Sequence, residues 1–94
     1  MSYTLRPQAE EDIAAIALFI AADNLRAAQK WTDAIQASCR RIGAMPGIGA
    51  SRPEVTQGLR ILPVGSYLIL YVEAKGNVDI LRIVHGARDQ GNWL

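Results

Sequence analysis

The hydrophobic period of this chain changes once, near residue 59, and that change dictates the order of its elements. Before it, small or apolar residues recur every three or four positions: Ala9, Ile13, Ile16, Ala17 and Ile20, then Ala28, Trp31, Ile35, Ser38 and Ile42. After it they recur every second position. The first spacing builds one face of a helix and the second builds one face of a strand. Helices therefore come first and a sheet follows.

Pro7 suits a first helical turn, where its missing N–H has no partner to lose. Glu10, Glu11 and Asp12 crowd the same end, where the helix dipole favours negative charge. Ahead of them, Tyr3 to Arg6 predicts a short edge strand. Asp23-Asn24 interrupts the stripe and supplies an N-cap for a second, longer helix, which Gly43 is expected to end. So short a connection predicts an antiparallel helix hairpin. Residues 45–53, Met-Pro-Gly-Ile-Gly-Ala-Ser-Arg-Pro, are too rich in Gly and Pro for helix or central strand and predict the main loop. Three strands are expected over 58–62, 66–74 and 77–85, separated by Pro63-Val64-Gly65 and Lys75-Gly76, and such turns imply a meander. The predicted fold is α+β: an N-terminal strand and a helix hairpin packed on a small, mainly antiparallel sheet, in the order β-α-α-β-β-β.

Strict alternation in the last strand puts Val78, Ile80, Arg82 and Val84 on one face and Asp79, Leu81, Ile83 and His85 on the other. Both faces are largely apolar, and two helices cover only one. The second face is expected to need the chain's tail or a partner, and Gly91-Asn92-Trp93-Leu94 is expected to be too short to cover it by itself.

Ninety-four residues, 50% hydrophobic and 20% charged, make one ordinary globular domain over residues 1–94. A net charge of +1 gives no overall field toward nucleic acid or an anionic membrane. The start lacks a leader pattern and the apolar stretch 13–22 is too short to span a bilayer, so a cytoplasmic protein is expected. A single cysteine, Cys39, and a single histidine, His85, predict no internal disulfide, no metal and no cofactor. Cys39 reads as a buried small hydrophobe.

Arg60, Arg82, His85 and Arg88 fall on or beside the C-terminal strands. These are the residue types of metal-free phosphodiester cleavage, in which an imidazole moves the proton and guanidinium groups stabilise the phosphorane. The competing reading is structural: His85 ends a strand and hydrogen-bonds the Gly86–Asp89 turn, and Arg88 with Asp89 forms a surface ion pair. Pro46-Gly47-Ile48-Gly49 precedes no helix carrying Lys-Ser/Thr, so it is not a phosphate-cradling loop. Trp31 belongs to the helical stripe and reads as core. Tyr67 and Tyr71 share a strand face that is either core or surface, and Trp93 is either a core anchor or an exposed contact.

The order of these features resembles a known group. Its carriers are Arg6-Pro7-Gln8-Ala9-Glu10-Glu11-Asp12-Ile13-Ala14-Ala15-Ile16, Pro46-Gly47-Ile48-Gly49, Gly58-Leu59-Arg60, Tyr67-Leu68-Ile69-Leu70-Tyr71 and, most specific, Ile80-Leu81-Arg82-Ile83-Val84-His85-Gly86-Ala87-Arg88-Asp89. Through them the chain resembles, nearly end to end, the ParE toxins of bacterial toxin-antitoxin systems, within the RelE/ParE superfamily. The resemblance implies a ParD-like ribbon-helix-helix antitoxin as partner, wrapping the toxin with its C-terminal segment and binding operator DNA for the pair. It also implies DNA gyrase as a target held without catalysis or cofactor. Residues 34–94 carry seven basic side chains against four acidic ones, and this basic C-terminal part predicts an acidic tail on that antitoxin. Partner-binding candidates are Arg60, Tyr67, Tyr71, Arg82, His85, Arg88 and Trp93. The alternative is the RelE branch, a ribosome-dependent messenger RNA endonuclease, for which Arg60, Arg82 and His85 would be catalytic; a non-toxic member that only binds antitoxin is a third reading. The near-neutral pI, the scarcity of lysine and the lack of any tyrosine after Tyr71 depart from the nuclease branch.

Overall fold

A computed structural model describes residues 2–89 and 93–94. The elements are β1 (Ser2–Leu5), α1 (Pro7–Ala21), α2 (Leu25–Ala44), a 3-10 turn over Pro46–Ile48, β2 (Ala50–Ser51), β3 (Arg60–Val64), β4 (Tyr67–Ala74) and β5 (Asn77–His85). Pro7 opens α1 as its sequence position requires, and Ala9 is its buried residue. Asn24 caps α2 by accepting the Ala27 N–H at 3.0 Å. The expected stop at Gly43 does not occur. Gly43 is buried and helical, and the helix ends one residue later because Pro46 forces Met45 out of the helical region, to φ −138° and ψ 78°.

The sheet is five-stranded, in the order β1-β5-β4-β3-β2. β1 runs parallel to β5 and every other pairing is antiparallel, so the fold is the predicted α+β arrangement with a short edge strand, β2, added from the expected loop. Pro63 lies within β3 rather than in a turn. It is tolerated because β2 pairs only with Arg60 and Ile61, so the outer edge at Pro63 needs no N–H. Lys75 and Gly76 make the β4–β5 turn with φ of 40° and 78°, the doubly positive geometry that matches strand twist.

A bulge overturns the strict alternation expected in β5. Leu70 pairs with Arg82 and Tyr71 with Ile80, which leaves Leu81 as the extra residue. Beyond it the faces exchange. Val78, Ile80 and Ile83 all join Tyr67, Ile69 and Tyr71 in the core beneath the helices, with Ile35, Cys39 and Ile42 of α2. Val84 joins Leu59, Ile61 and Leu70 on the opposite face, where Leu68, Val72, Leu81 and Trp93 pack against them.

That second face is covered within the chain, contrary to expectation. Leu59 and Leu70 are 0% exposed and Val84 1%. Trp93 packs there alongside Leu68, Val72 and Leu81, with its carbonyl held by Arg82, so the tail contributes cover that its length alone does not suggest; Gly91 and Asn92 lie outside the described residues. Large apolar side chains left in water cluster at the tip of the helix hairpin, where Leu18, Phe19 and Leu25 are 72%, 65% and 67% exposed, with Met45, Val55 and Leu94 exposed singly elsewhere.

Candidate functional site

Arg60 and Tyr71 secure the Pro46–Gly49 segment. The Tyr71 hydroxyl, on a fully buried ring, donates to the Pro46 carbonyl at 2.7 Å and accepts the Gly49 N–H at 2.8 Å. Arg60 Nη1 donates to the Gly49 carbonyl at 2.8 Å. A Cβ at Gly49 would stand 2.6 Å from Tyr71 Oη, so the second glycine of Pro-Gly-Ile-Gly is needed for this close approach. Desolvation by burial raises the Tyr71 pKa, opposed by the Gly49 hydrogen bond.

Arg82 belongs to a second network. Its Nε donates to Asp12 Oδ2 at 2.8 Å and its Nη2 to Asp12 Oδ1 at 3.1 Å, a two-pronged ion pair across the chain. The same carboxylate accepts the Ile83 N–H at 3.0 Å. β1 pairs with β5 only as far as Ile80, so Asp12 serves a backbone donor that no strand reaches. Arg82 Nη1 donates to the Trp93 carbonyl at 2.9 Å and so ties the tail to α1 through one guanidinium. The hydrogen bond to Asp12, more than its charge, raises the Arg82 pKa. Helix-dipole compensation accounts for Glu10; Asp12 has this further partner, which no local pattern announced.

Tyr67, His85 and Arg88 form a third group. The His85 N–H donates to Asp89 Oδ2 at 2.7 Å, and the Asp89 N–H donates back to the His85 carbonyl at 3.0 Å. The Ala87 and Arg88 N–H groups both donate to His85 Nδ1, at 3.2 and 3.1 Å. Nδ1 is thus an acceptor and the ring proton belongs on Nε2, an assignment that follows from this network. The turn is closed on itself, and Asp89 faces the His85 backbone rather than pairing with Arg88. Tyr67 meets His85 edge-to-face at 5.2 Å and Trp31 likewise at 5.4 Å. Its hydroxyl accepts from Arg88 Nη2 at 3.2 Å, and the Arg88 guanidinium lies 5.5 Å from the centre of the Phe19 ring.

The predicted site residues therefore separate into Arg60 with Tyr71, Arg82 with Trp93, and Tyr67 with His85 and Arg88. Among the described residues no hydrogen bond or ion pair joins Arg60, Arg82 and His85 to one another. Nor does any His, Cys, Asp and Glu grouping among them fit a metal, and no helix is long and apolar enough to cross a membrane. Cys39 is buried, and desolvation raises its pKa from 9.0 to about 11 against the pull of Arg40.

The free surface is a groove of about 470 Å³ between the helices, rimmed by Leu18 and Leu25, floored by Ala17, Ala21 and Ala28, with Asp33 in its lining. A second hollow, of about 620 Å³, opens at the hairpin tip beside Phe19, Asp23 and Asn24. Sequence reasoning missed these rims. Their signal was the run Ile16 to Ala22, apolar all round where a one-sided helix needs only a stripe.

A helix hairpin on one face of a five-stranded mixed sheet, with Trp93 packed onto the other, defines a small α+β domain. Residues 3–90 match the model of the family described as ParE toxin of type II toxin-antitoxin system, parDE, and the chain belongs to that family. It is similar to Toxin ParE1 from two strains of Mycobacterium tuberculosis, 32% identical over 63 residues, which are 66% of this chain and 64% of theirs. The similarity thus spans just under two thirds of those relatives. In fold it matches a chain of the chromosomal ParDE TA system from P. aeruginosa with a TM-score of 0.76 at 23% identity, over 90% of this chain and 95% of that one.

Proposed function

We propose that this chain is the toxin of a type II toxin-antitoxin pair, that it acts in the cytoplasm by binding DNA gyrase rather than by catalysis, and that a ParD-like ribbon-helix-helix antitoxin neutralises it. The observation that carries the reading is the alanine-floored groove between Leu18 and Leu25, the shape and chemistry that accept the apolar face of an amphipathic helix. Burying each leucine is worth about 1.5–3 kcal/mol, enough for a partner segment that orders only on binding to offset part of its lost entropy. The antitoxin so placed lies on the hairpin rather than across the sheet, whose second face Trp93 occupies. Operator DNA is met through the antitoxin.

The separation of Arg60, Arg82 and His85 into different networks supports binding over cleavage. Each arginine already has main-chain or carboxylate partners, and the lone pair on His85 Nδ1 is engaged by two backbone donors. Purified gyrase tests the reading. Added protein is expected to block supercoiling and to accumulate cleaved DNA, and prior mixing with the antitoxin is expected to abolish both. Untouched gyrase together with cut messenger RNA in induced cells would replace this reading with the nuclease one.

A further inference from the structure

We infer that the Arg88 guanidinium, held beside the exposed ring of Phe19, is the anchor by which this chain grips a carboxylate on the surface of its folded target, and that this anchor is separate from the antitoxin groove. The inference rests on the toxin reading above. His85 and Asp89 lock the Gly86–Asp89 turn by reciprocal hydrogen bonds, and of its two exposed residues, Ala87 and Arg88, only Arg88 carries a charge. Tyr67 holds one of its nitrogens at 3.2 Å and Phe19 lies 5.5 Å under its charge. Tyr67 is in turn fixed between Trp31 and His85. A long, flexible side chain is thereby oriented before any partner arrives, which lowers the ordering cost of binding.

Among the described residues no carboxylate lies within ion-pair distance of Arg88. Asp89, its neighbour, is turned onto the His85 N–H. Among the described residues the Tyr67 hydroxyl is the one hydrogen-bond acceptor that the guanidinium of this exposed residue meets, and the planar geometry of its other donors matches a carboxylate. An oriented arginine beside a 65% exposed phenylalanine joins two residue types enriched at protein interfaces. The occupant follows from shape. The groove between Leu18 and Leu25 is concave and takes a segment that folds as it binds, whereas Arg88 and Phe19 project from braced elements and suit a partner already folded. Phe19 borders the tip hollow and Leu18 the groove, and the two hollows share no lining residue.

The test compares wild type with Arg88→Gln, Arg88→Lys and Phe19→Ala in gyrase inhibition, in antitoxin affinity by calorimetry and in melting temperature. Arg88→Gln and Phe19→Ala are expected to raise the concentration for half inhibition about ten-fold or more. Arg88→Lys, which keeps the charge and loses the fork, is expected to fall on the same side. Antitoxin affinity is expected to hold within about two-fold and melting temperature within roughly 4 °C. Unchanged inhibition by Arg88→Gln overturns the inference. So does an equal loss of antitoxin affinity, or a ten-fold loss of binding to a DNA duplex alone, which would make the ligand a phosphate. If wild type leaves gyrase untouched, the gyrase reading falls while the anchor is still judged by growth: weaker arrest by induced Arg88→Gln supports it, equal arrest overturns it, and no arrest by wild type overturns both.

Discussion

Cys39 shows how far a residue's chemistry depends on where the chain puts it. Beside Arg40 and Arg41 in the sequence its thiol has basic neighbours, yet the side chain is 1% exposed in the helix-side core and its pKa rises to about 11. The unfolded chain loses that proton near the ordinary thiol value of 9.0 and the folded chain holds it to about 11. A raised folded pKa gives stability that is fully present below pH 9.0 and is lost as pH climbs through about 11. Tyr71, also raised by burial, adds a loss in the same direction, beginning near the ordinary phenol value of 10.0. The denaturant midpoint is therefore expected to fall steeply on the alkaline side, and Cys39→Ala, itself destabilised by the cavity it leaves, is expected to show a shallower slope there. A midpoint indifferent to alkaline pH in the wild type would contradict this account of the burial.

Elements show which local signals survive packing. The composition of Pro46-Gly47-Ile48-Gly49 predicts a loop and does not distinguish its two glycines. The fold separates them: a Cβ at Gly47 meets nothing within 4 Å, whereas one at Gly49 meets the Tyr71 hydroxyl at 2.6 Å and the Ile61 carbonyl at 3.0 Å. Gly49→Ala is expected to cost about 1–3 kcal/mol, through overpacking and loss of the Tyr71 hydrogen bonds. Gly47→Ala is expected to stay within about 0.5 kcal/mol of wild type. Thermal melts of the pair check both. The same limit explains β5. Period two marked it as a strand, but the extra residue at Leu81 exchanges its faces because register is a property of the strand pair and not of either strand.

At the scale of the whole molecule, the surplus apolar surface read from the sequence is real but displaced. It was expected on the sheet; Trp93, clasped by Arg82, occupies that face, and the surplus stands on the hairpin at Leu18, Phe19 and Leu25. Leu25→Asp is expected to leave the fold intact, since the side chain is 67% exposed. It is expected to weaken antitoxin binding about ten-fold or more by placing a charge in the groove, with calorimetry and circular dichroism as the two measurements. An unfolded Leu25→Asp chain would mean that the hairpin tip belongs to the core, and unchanged affinity would place the antitoxin elsewhere.

Sequence alone determined the N-terminal strand, the two helices and the three long strands in their order, though not the short β2, because helical and strand periods, the Asn24 cap and Pro7 act over a few neighbouring residues. Only the tertiary structure decided that β1 lies beside β5, that Asp12 meets Arg82 seventy residues on, and that His85, Tyr67, Arg88 and Phe19 converge. Those contacts join segments far apart along the chain. Their energies arise only once both segments are held in place, so no local pattern in the sequence records them.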